Sequence, residues 1–297
     1  MNMGQSRAKL SIFFIVEPGK YETMGCYLAA SIRENFKEPI DLIGYCPTSS
    51  IDRMNPRARA IFDRLDVAVR PIETADKWRE PYPHGNKIIA AMKPRDTPWS
   101  AFLDSDMAFI SANTSDAMTR EGHVSVAPAT SMYWAGQNIW KTIYGVCDMP
   151  LPSERIWLQR QKRRKLMPYF NAGLVAFEEG PMFAGESFAE IWYRLARRID
   201  DQADVPKKRP YLDQMSLPLA IQAAKKSWYL LPPEQHYILG GSIRGEPLPP
   251  EHDIKMIHYR GFDILREVGH IKTVKNALEK HTGVRRIDKF RIADDAE

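Results

Sequence analysis

Ser100-Ala101-Phe102-Leu103-Asp104-Ser105-Asp106-Met107 is the stretch on which the reading of this chain turns. Ser100–Leu103 reads as an apolar strand that ends directly at an acidic triplet. In an extended segment residues i and i+2 point the same way, so Asp104 and Asp106 can face one point together. Paired oxygen ligands suit a hard divalent cation, which completes its shell with substrate phosphates. A D-x-D alone also arises by chance, and its bland reading is a solvated turn carrying two surface acids. Position favours the site: one apolar strand enters the triplet and another short apolar segment, Ala108–Ile110, leaves it.

Toward the N-terminus, strand and helix signals alternate. Leu10–Val16 is a continuous apolar run suited to a strand buried on both faces. Glu22–Asn35 carries Met24, Tyr27, Leu28 and Ile32 at helical spacing. Ile40–Tyr45 and Val67–Ile72 read as strands, Ala58–Leu65 as a helix and Asn86–Met92 as a short one. This βαβαβ order predicts an α/β fold with a mostly parallel, doubly wound central sheet. Such sheets bind ligands beyond the carboxyl ends of their strands, where the triplet falls.

Toward the C-terminus the pattern loosens. After His123–Ala127, residues 128–168 are rich in aromatic and basic residues, with a helix predicted over Ser153–Lys165 and Ser153 as its N-cap. Phe170–Phe177 reads as a strand, Phe183–Ile199 and Leu212–Lys225 as helices, and Ile254–His258 as a late short strand. Ile264–His281 reads as one helix stopping at Gly283. No internal repeat or linker appears, so residues 1–297 are read as a single domain. Its parts are a nucleotide-binding half at about 9–127, an irregular donor-sugar and acceptor half at about 128–262, and a helical tail at 263–297.

Composition narrows the class. The 297 residues are 44% hydrophobic and 27% charged, ordinary for a globular protein. Cys26, Cys46 and Cys147 form no framework and read as reduced thiols, pointing to the cytoplasm. The run at Leu10–Val16 lacks a cleavage site, and no segment approaches the length of a membrane span. The net charge of +5 is concentrated in Arg160–Lys165, in Lys207-Lys208-Arg209, and in Arg285, Arg286, Lys289 and Arg291. No nucleic-acid-binding motif accompanies these runs, so nucleic acid is not an expected partner. Solvated faces explain them; an anionic acceptor, or peripheral contact with the inner face of a membrane presenting one, is the other reading.

The triplet in its setting resembles the signature of GT-A-fold glycosyltransferases. Three further segments are similar, in order, to motifs of family 8 retaining enzymes, the glycogenin and lipopolysaccharide galactosyltransferase relatives. They are Phe170-Asn171-Ala172-Gly173, Leu212-Asp213-Gln214 and His258-Tyr259-Arg260-Gly261. The resemblance spans about Lys87 to Gly261 as scattered motifs. The Lys-Pro-Trp that often follows the last motif is replaced by Phe262-Asp263-Ile264, leaving its phosphate contact to Arg260 or Arg266. The D-Q pair is followed by Met215 in place of an acidic residue.

The resemblance implies a metal-dependent hexosyltransferase that moves a sugar from a nucleotide-diphosphate donor, a UDP-sugar being favoured, to a saccharide or other hydroxyl acceptor, with retention. It implies Mn²⁺ or Mg²⁺ on Asp104, Asp106 and His258. It places Lys87, Ser105, Asn171 and Gly173 with these aspartates at the donor, and Asp213 and Gln214 at the reacting carbon. The acceptor, an anionic or lipid-linked glycan among the options, would meet residues 128–168, where Tyr133, Trp134, Trp140 and Tyr144 offer stacking surfaces. The nucleotide would lie near Val16-Glu17-Pro18 and the residues around Tyr45.

Each motif has a structural alternative. Asn171 and Gly173 suit a β-bulge, Asp213-Gln214 a helix's first turn, His258 a core position, and Lys87 a surface near the His84-Gly85-Asn86 turn. If the enzyme inverts, Asp213 is the base; if it retains, Gln214 stabilises the charged sugar. A nucleotidyltransferase and a catalytically silent sugar- or nucleotide-binding protein are the competing functions. The former should carry a glycine-rich basic loop after the first strand, which Glu17-Pro18-Gly19-Lys20-Tyr21 matches poorly.

Overall fold

The computed structural model describes residues 8–181, 185–202, 205–285 and 287. In chain order the elements are β1 (Leu10–Ile15), α1 (Lys20–Asn35), β2 (Ile40–Pro47), α2 (Pro56–Arg64), β3 (Val67–Ile72), α3 (Asn86–Ala91), β4 (Trp99–Leu103) and β5 (Met107–Phe109). There follow β6 (His123–Pro128), α4 (Ile139–Val146), β7 (Phe170–Glu178), α5 (Phe188–Asp200) and α6 (Lys208–Ala223). The last are β8 (Ser227–Leu230), β9 (Tyr237–Ile238), β10 (Met256–His258), α7 (Phe262–Glu267) and α8 (Ile271–Thr282).

Seven strands form the main sheet in the order β3-β2-β1-β4-β7-β6-β8, and β5-β10-β9 form a second, smaller sheet. β1 pairs in parallel with β2 on one side and β4 on the other. The chain therefore winds outward from β1 to β3, then returns across to β4, opening a crevice at the carboxyl ends of β1 and β4. β7 runs antiparallel to β4. Strand alternation sends side chains into two cores. Phe13, Ile43, Tyr45, Phe102, Val175 and Phe177 face α3, α4, α5 and α6. Leu10, Ile12, Phe14, Leu42, Leu103 and Leu174 face α1, α2, α7, α8 and the small sheet. Burial on both faces explains why these strands read as unbroken apolar runs.

The second half departs from expectation in several places. No helix forms over Ser153–Lys165; that segment is irregular and closed by an antiparallel bridge between Ile156 and Leu166. Its buried residues Ile156 and Leu158 are two apart, a strand spacing. A helix would also have set Arg160 against Arg163 and Arg164, and Lys162 against Lys165, at mutually repelling spacings. A helix appears instead over Ile139–Val146, where Trp140 and Tyr144 are 1% exposed and belong to the core, so neither offers a stacking surface. Tyr133 is exposed, and Trp134 stacks on Tyr211 with ring centroids 4.6 Å apart. The anticipated start of α5 at Phe183 lies outside the described residues. The helix begins at Phe188, where Ser187 and Glu190 form a capping box. The tail is two helices, α7 and α8, with Gly269 between them at φ 80°; α8 does stop at Gly283.

The basic runs are partly consumed internally. Arg160 donates to the carbonyls of Ile238 and Gly240, Lys208 to the carbonyl of Asp200 (2.6 Å), and Arg209 pairs with the Asp200 carboxylate at 2.9 Å. Lys162, Arg163, Arg164 and Lys165 are exposed. Arg286, Lys289 and Arg291 lie outside the described residues. Among the described residues no helix is long and apolar enough to cross a membrane.

Candidate active site

The crevice between β1 and β4 is where the sequence signals meet. The Ser105 hydroxyl donates to the carbonyl of Ile15, tying the acidic loop to the end of β1. The Asp104 amide donates to the carbonyl of Gly173 (2.7 Å), fixing the loop to β7, and the Tyr259 amide donates to the carbonyl of Asp106 (3.0 Å), fixing it to the end of β10. Antiparallel pairing sets His258 opposite Met107. His258 Nε2 consequently lies 3.1 Å from Asp106 Oδ1 and 4.0 Å from Asp104 Oδ2. One ligand atom from each of Asp104, Asp106 and His258 falls within 4.8 Å of the others, a grouping able to hold a metal ion.

Gly173 keeps that space open. A Cβ there would sit 2.9 Å from Asp104 Oδ2, 2.9 Å from His258 Cε1 and 2.7 Å from Asn171 Oδ1. Between β6 and β7 the register jumps: Val126 pairs with Val175 but Ala127 with Asn171, so residues 172–174 bulge. The bulge and the site are thus one feature. Asn171 Oδ1 accepts the Gly173 amide at 2.9 Å, holding the turn into the crevice.

Lys87, on α3, is not a surface lysine. It is 5% exposed, and its ammonium lies 2.8 Å from Asp104 Oδ1, 3.1 Å from Asp213 Oδ2 and 3.2 Å from the carbonyl of Ala172. Burial works against its charge, but the two carboxylates outweigh it and hold the ammonium above its ordinary range. Asp213, 2% exposed near the start of α6, also accepts the Tyr82 hydroxyl through Oδ1 at 2.9 Å, while its own amide donates to that hydroxyl at 3.1 Å. Gln214, beside it, is half-buried.

The two aspartates are electrostatically distinct. Burial pushes the Asp104 carboxyl above the usual carboxylate range, with Lys87 opposing and the charge of Asp106 adding to the rise. Burial also acts on Asp106, but His258 outweighs it and holds that carboxyl down at about 2. Behind His258 stands His236, fully buried, with Nε2 3.3 Å from His258 Nδ1. Burial, reinforced by the neighbouring His258, pushes the His236 imidazole well below its usual range, so it is neutral.

The structure brings together Lys87, Asp104, Ser105, Asp106, Asn171, Gly173, Asp213 and His258. Beyond the end of β1 the crevice is lined by Glu17, Tyr21, His84 and Lys87, among others. Asn86 Nδ2 donates to Glu17 Oε1 at 2.8 Å. Tyr45 itself is 1% exposed and packs edge-on against Phe13, so its ring is not a base-stacking surface. Sequence reasoning missed Tyr82 and His236. A faint signal existed for Tyr82: Gly85 permits a close approach, since a Cβ there would lie 2.5 Å from the rings of Trp78 and Tyr82. His236 left none.

Comparison with known proteins agrees with this architecture. The structure is similar to that of the galactosyltransferase LgtC in complex with donor and acceptor sugar analogs, at 13% identity and a TM-score of 0.54, covering 94% of this chain and 97% of that one. This likeness shows a GT-A fold. Mouse xyloside xylosyltransferase 1, in its apo form, matches at 11% identity and a TM-score of 0.45, covering 84% of this chain and 97% of that one. No curated protein matches the sequence. The family described as the Rhodobacterales glycosyltransferase domain matches residues 12–225, the segment that runs from within β1 through α6 and holds the acidic triplet, Lys87 and Asp213. The chain belongs to that glycosyltransferase family.

Proposed function

We propose that this protein transfers a sugar from a nucleotide-diphosphate donor, a UDP-sugar in first place, to a hydroxyl acceptor, with a divalent cation held by Asp104, Asp106 and His258. The observation that carries this reading is the convergence of these three side chains on a space that a Cβ at position 173 would fill. The donor set fits: two carboxylates suit Mg²⁺ or Mn²⁺, and the imidazole favours Mn²⁺. When bound, the cation neutralises charge on the departing diphosphate. Lys87 adds a buried positive charge beside it, while Ser105 keeps the acidic loop against β1.

The setting of Asp213 favours retention. A base for the acceptor must be reachable by it, whereas Asp213 is 2% exposed, with Oδ2 against the Lys87 ammonium and Oδ1 against a Tyr82 hydroxyl that also reaches the carbonyl of Pro210. We assign Asp213 to holding Lys87 in place. Gln214, half-buried at the next position, then faces the donor sugar with Asn171. Residues 1–297 act as one domain in this reading, and exposed Lys162–Lys165 turn an anionic or lipid-linked acceptor toward the site from the cytoplasmic side.

Calorimetric titration of UDP- and GDP-sugars with and without Mn²⁺ tests the reading. Metal-dependent binding and slow donor hydrolysis are expected; absence of any metal-dependent binding would discard it.

A further inference from the structure

His258 carries two ring nitrogens with different tasks. Nε2 faces Asp106 Oδ1 at 3.1 Å and Asp104 Oδ2 at 4.0 Å, while Nδ1 points away toward His236 Nε2 at 3.3 Å. To give its Nε2 lone pair to a cation, a neutral imidazole must carry its proton on Nδ1. The partner recorded for that proton is His236 Nε2. The two rings are nearly parallel, 20° apart with centroids at 5.5 Å, and His236 is fully buried. The backbone enforces the meeting: β9, immediately after His236, runs parallel to β10, which ends at His258.

Partners behind metal-bound imidazoles are usually carboxylates or carbonyls, which accept whatever the circumstances. A histidine accepts only in one tautomer. The other nitrogen of His236, Nδ1, is buried with no hydrogen-bond partner among the described residues. Nothing there fixes its proton, so more than one arrangement fits the same atoms. In one, His236 Nε2–H donates to His258 Nδ1 and His258 Nε2–H donates to Asp106. In another, His258 Nδ1–H donates to His236 Nε2, and the His258 Nε2 lone pair faces the carboxylates.

We propose that His236 is a positioning residue that accepts the Nδ1 proton of His258 when His258 Nε2 faces a cation, and that it thereby raises the affinity of the site. This rests on the cation site proposed above. It adds that, with a cation bound, His258 Nε2 presents its lone pair while Nδ1 keeps the proton that His236 accepts.

The test is Mn²⁺ binding to donor-free protein, read by electron paramagnetic resonance. His236→Phe keeps a ring in the buried space but cannot accept, and should bind Mn²⁺ about 10–100-fold more weakly than wild type. His236→Gln, whose amide oxygen can accept from His258 Nδ1, should recover most of that loss. Mn²⁺ affinity in His236→Phe equal to wild type would overturn the proposal. A second readout needs no variant: nitrogen-15 spectra of wild type saturated with Mg²⁺ should place the His258 proton on Nδ1, and a proton on Nε2 would overturn it. Wild type that binds neither ion removes the cation site itself, a distinguishable result.

Discussion

The two sheets that meet at the candidate site are built differently. The seven-stranded sheet is buried on both faces at its central strands and delivers Asp104 and Asp106 at the end of β4, supported by β1 and β7. The three-stranded sheet has strands of three, three and two residues, and it delivers His258 by pairing β10 with β5. The matched family segment ends at residue 225, so β9 and β10, with His236 and His258, lie beyond it. Both platforms are buried, since Met107, Phe109, Met256 and Ile257 of the small sheet lie in the second core, but its ladders are short, so the placing of His258 depends on register. The carboxylates therefore belong to the scaffold, and the histidine to an attachment whose geometry must be kept by specific contacts.

Variants can break or sharpen that contrast. The largest effect is expected at the scaffold: Asp106→Asn should lower donor hydrolysis about a thousandfold, the loss of several kcal/mol of charge stabilisation. Full activity in that variant would remove the triplet from the site. Next, Lys87→Met strands Asp104 and Asp213 without their shared cation and should cost about 3–5 kcal/mol in urea unfolding, because a buried charge loses its partner. Adding Asp213→Asn should return part of that loss, and no recovery would argue against the pairing. Gly173→Ala presses on ligands from both sheets at once. It should cost about 1–3 kcal/mol by overpacking and weaken Mn²⁺ binding, measured by melting and titration.

The smallest effect is in pH dependence, and the two aspartates contribute with opposite sign. The Asp106 carboxyl is lowered, to about 2, so its contribution to stability is present above the unfolded carboxylate range and lost as pH falls toward that value. The Asp104 carboxyl is raised, so it takes up a proton earlier and its own contribution to stability grows as pH falls. Cation binding needs both ionised. Mn²⁺ affinity should therefore decline as pH falls, through Asp104 before Asp106, and a flat profile down to pH 3 would contradict the assignment.

The sheet-bearing half was legible because its signals are local. Leu10–Val16 and Ile40–Tyr45 are runs that burial on both faces favours, Val67–Ile72 is a partly exposed edge strand, and each falls within a residue or two of its strand. The triplet could be placed because a strand points at it. What failed depended on distant partners. Ser153–Lys165 reads as a helix with Ser153 as its N-cap, but Ile156 and Leu166 pair in an antiparallel bridge instead. The burial of Lys87 is decided by Asp213, 126 positions later (213 − 87), and His236 reaches His258 only through the β9–β10 pairing. Neither relation leaves a periodic trace.

The opposition of His258 and Met107 also has a thermodynamic meaning. A ligand bound across β4 and β10 would act as a removable crosslink, so occupancy and local opening of the small sheet become linked equilibria. Amide protons of Met256, Ile257 and Tyr259 should exchange more slowly when Mn²⁺ is present, while those of β1 and β4 stay near their metal-free rates. The short strand would then report on occupancy as well as contribute to it.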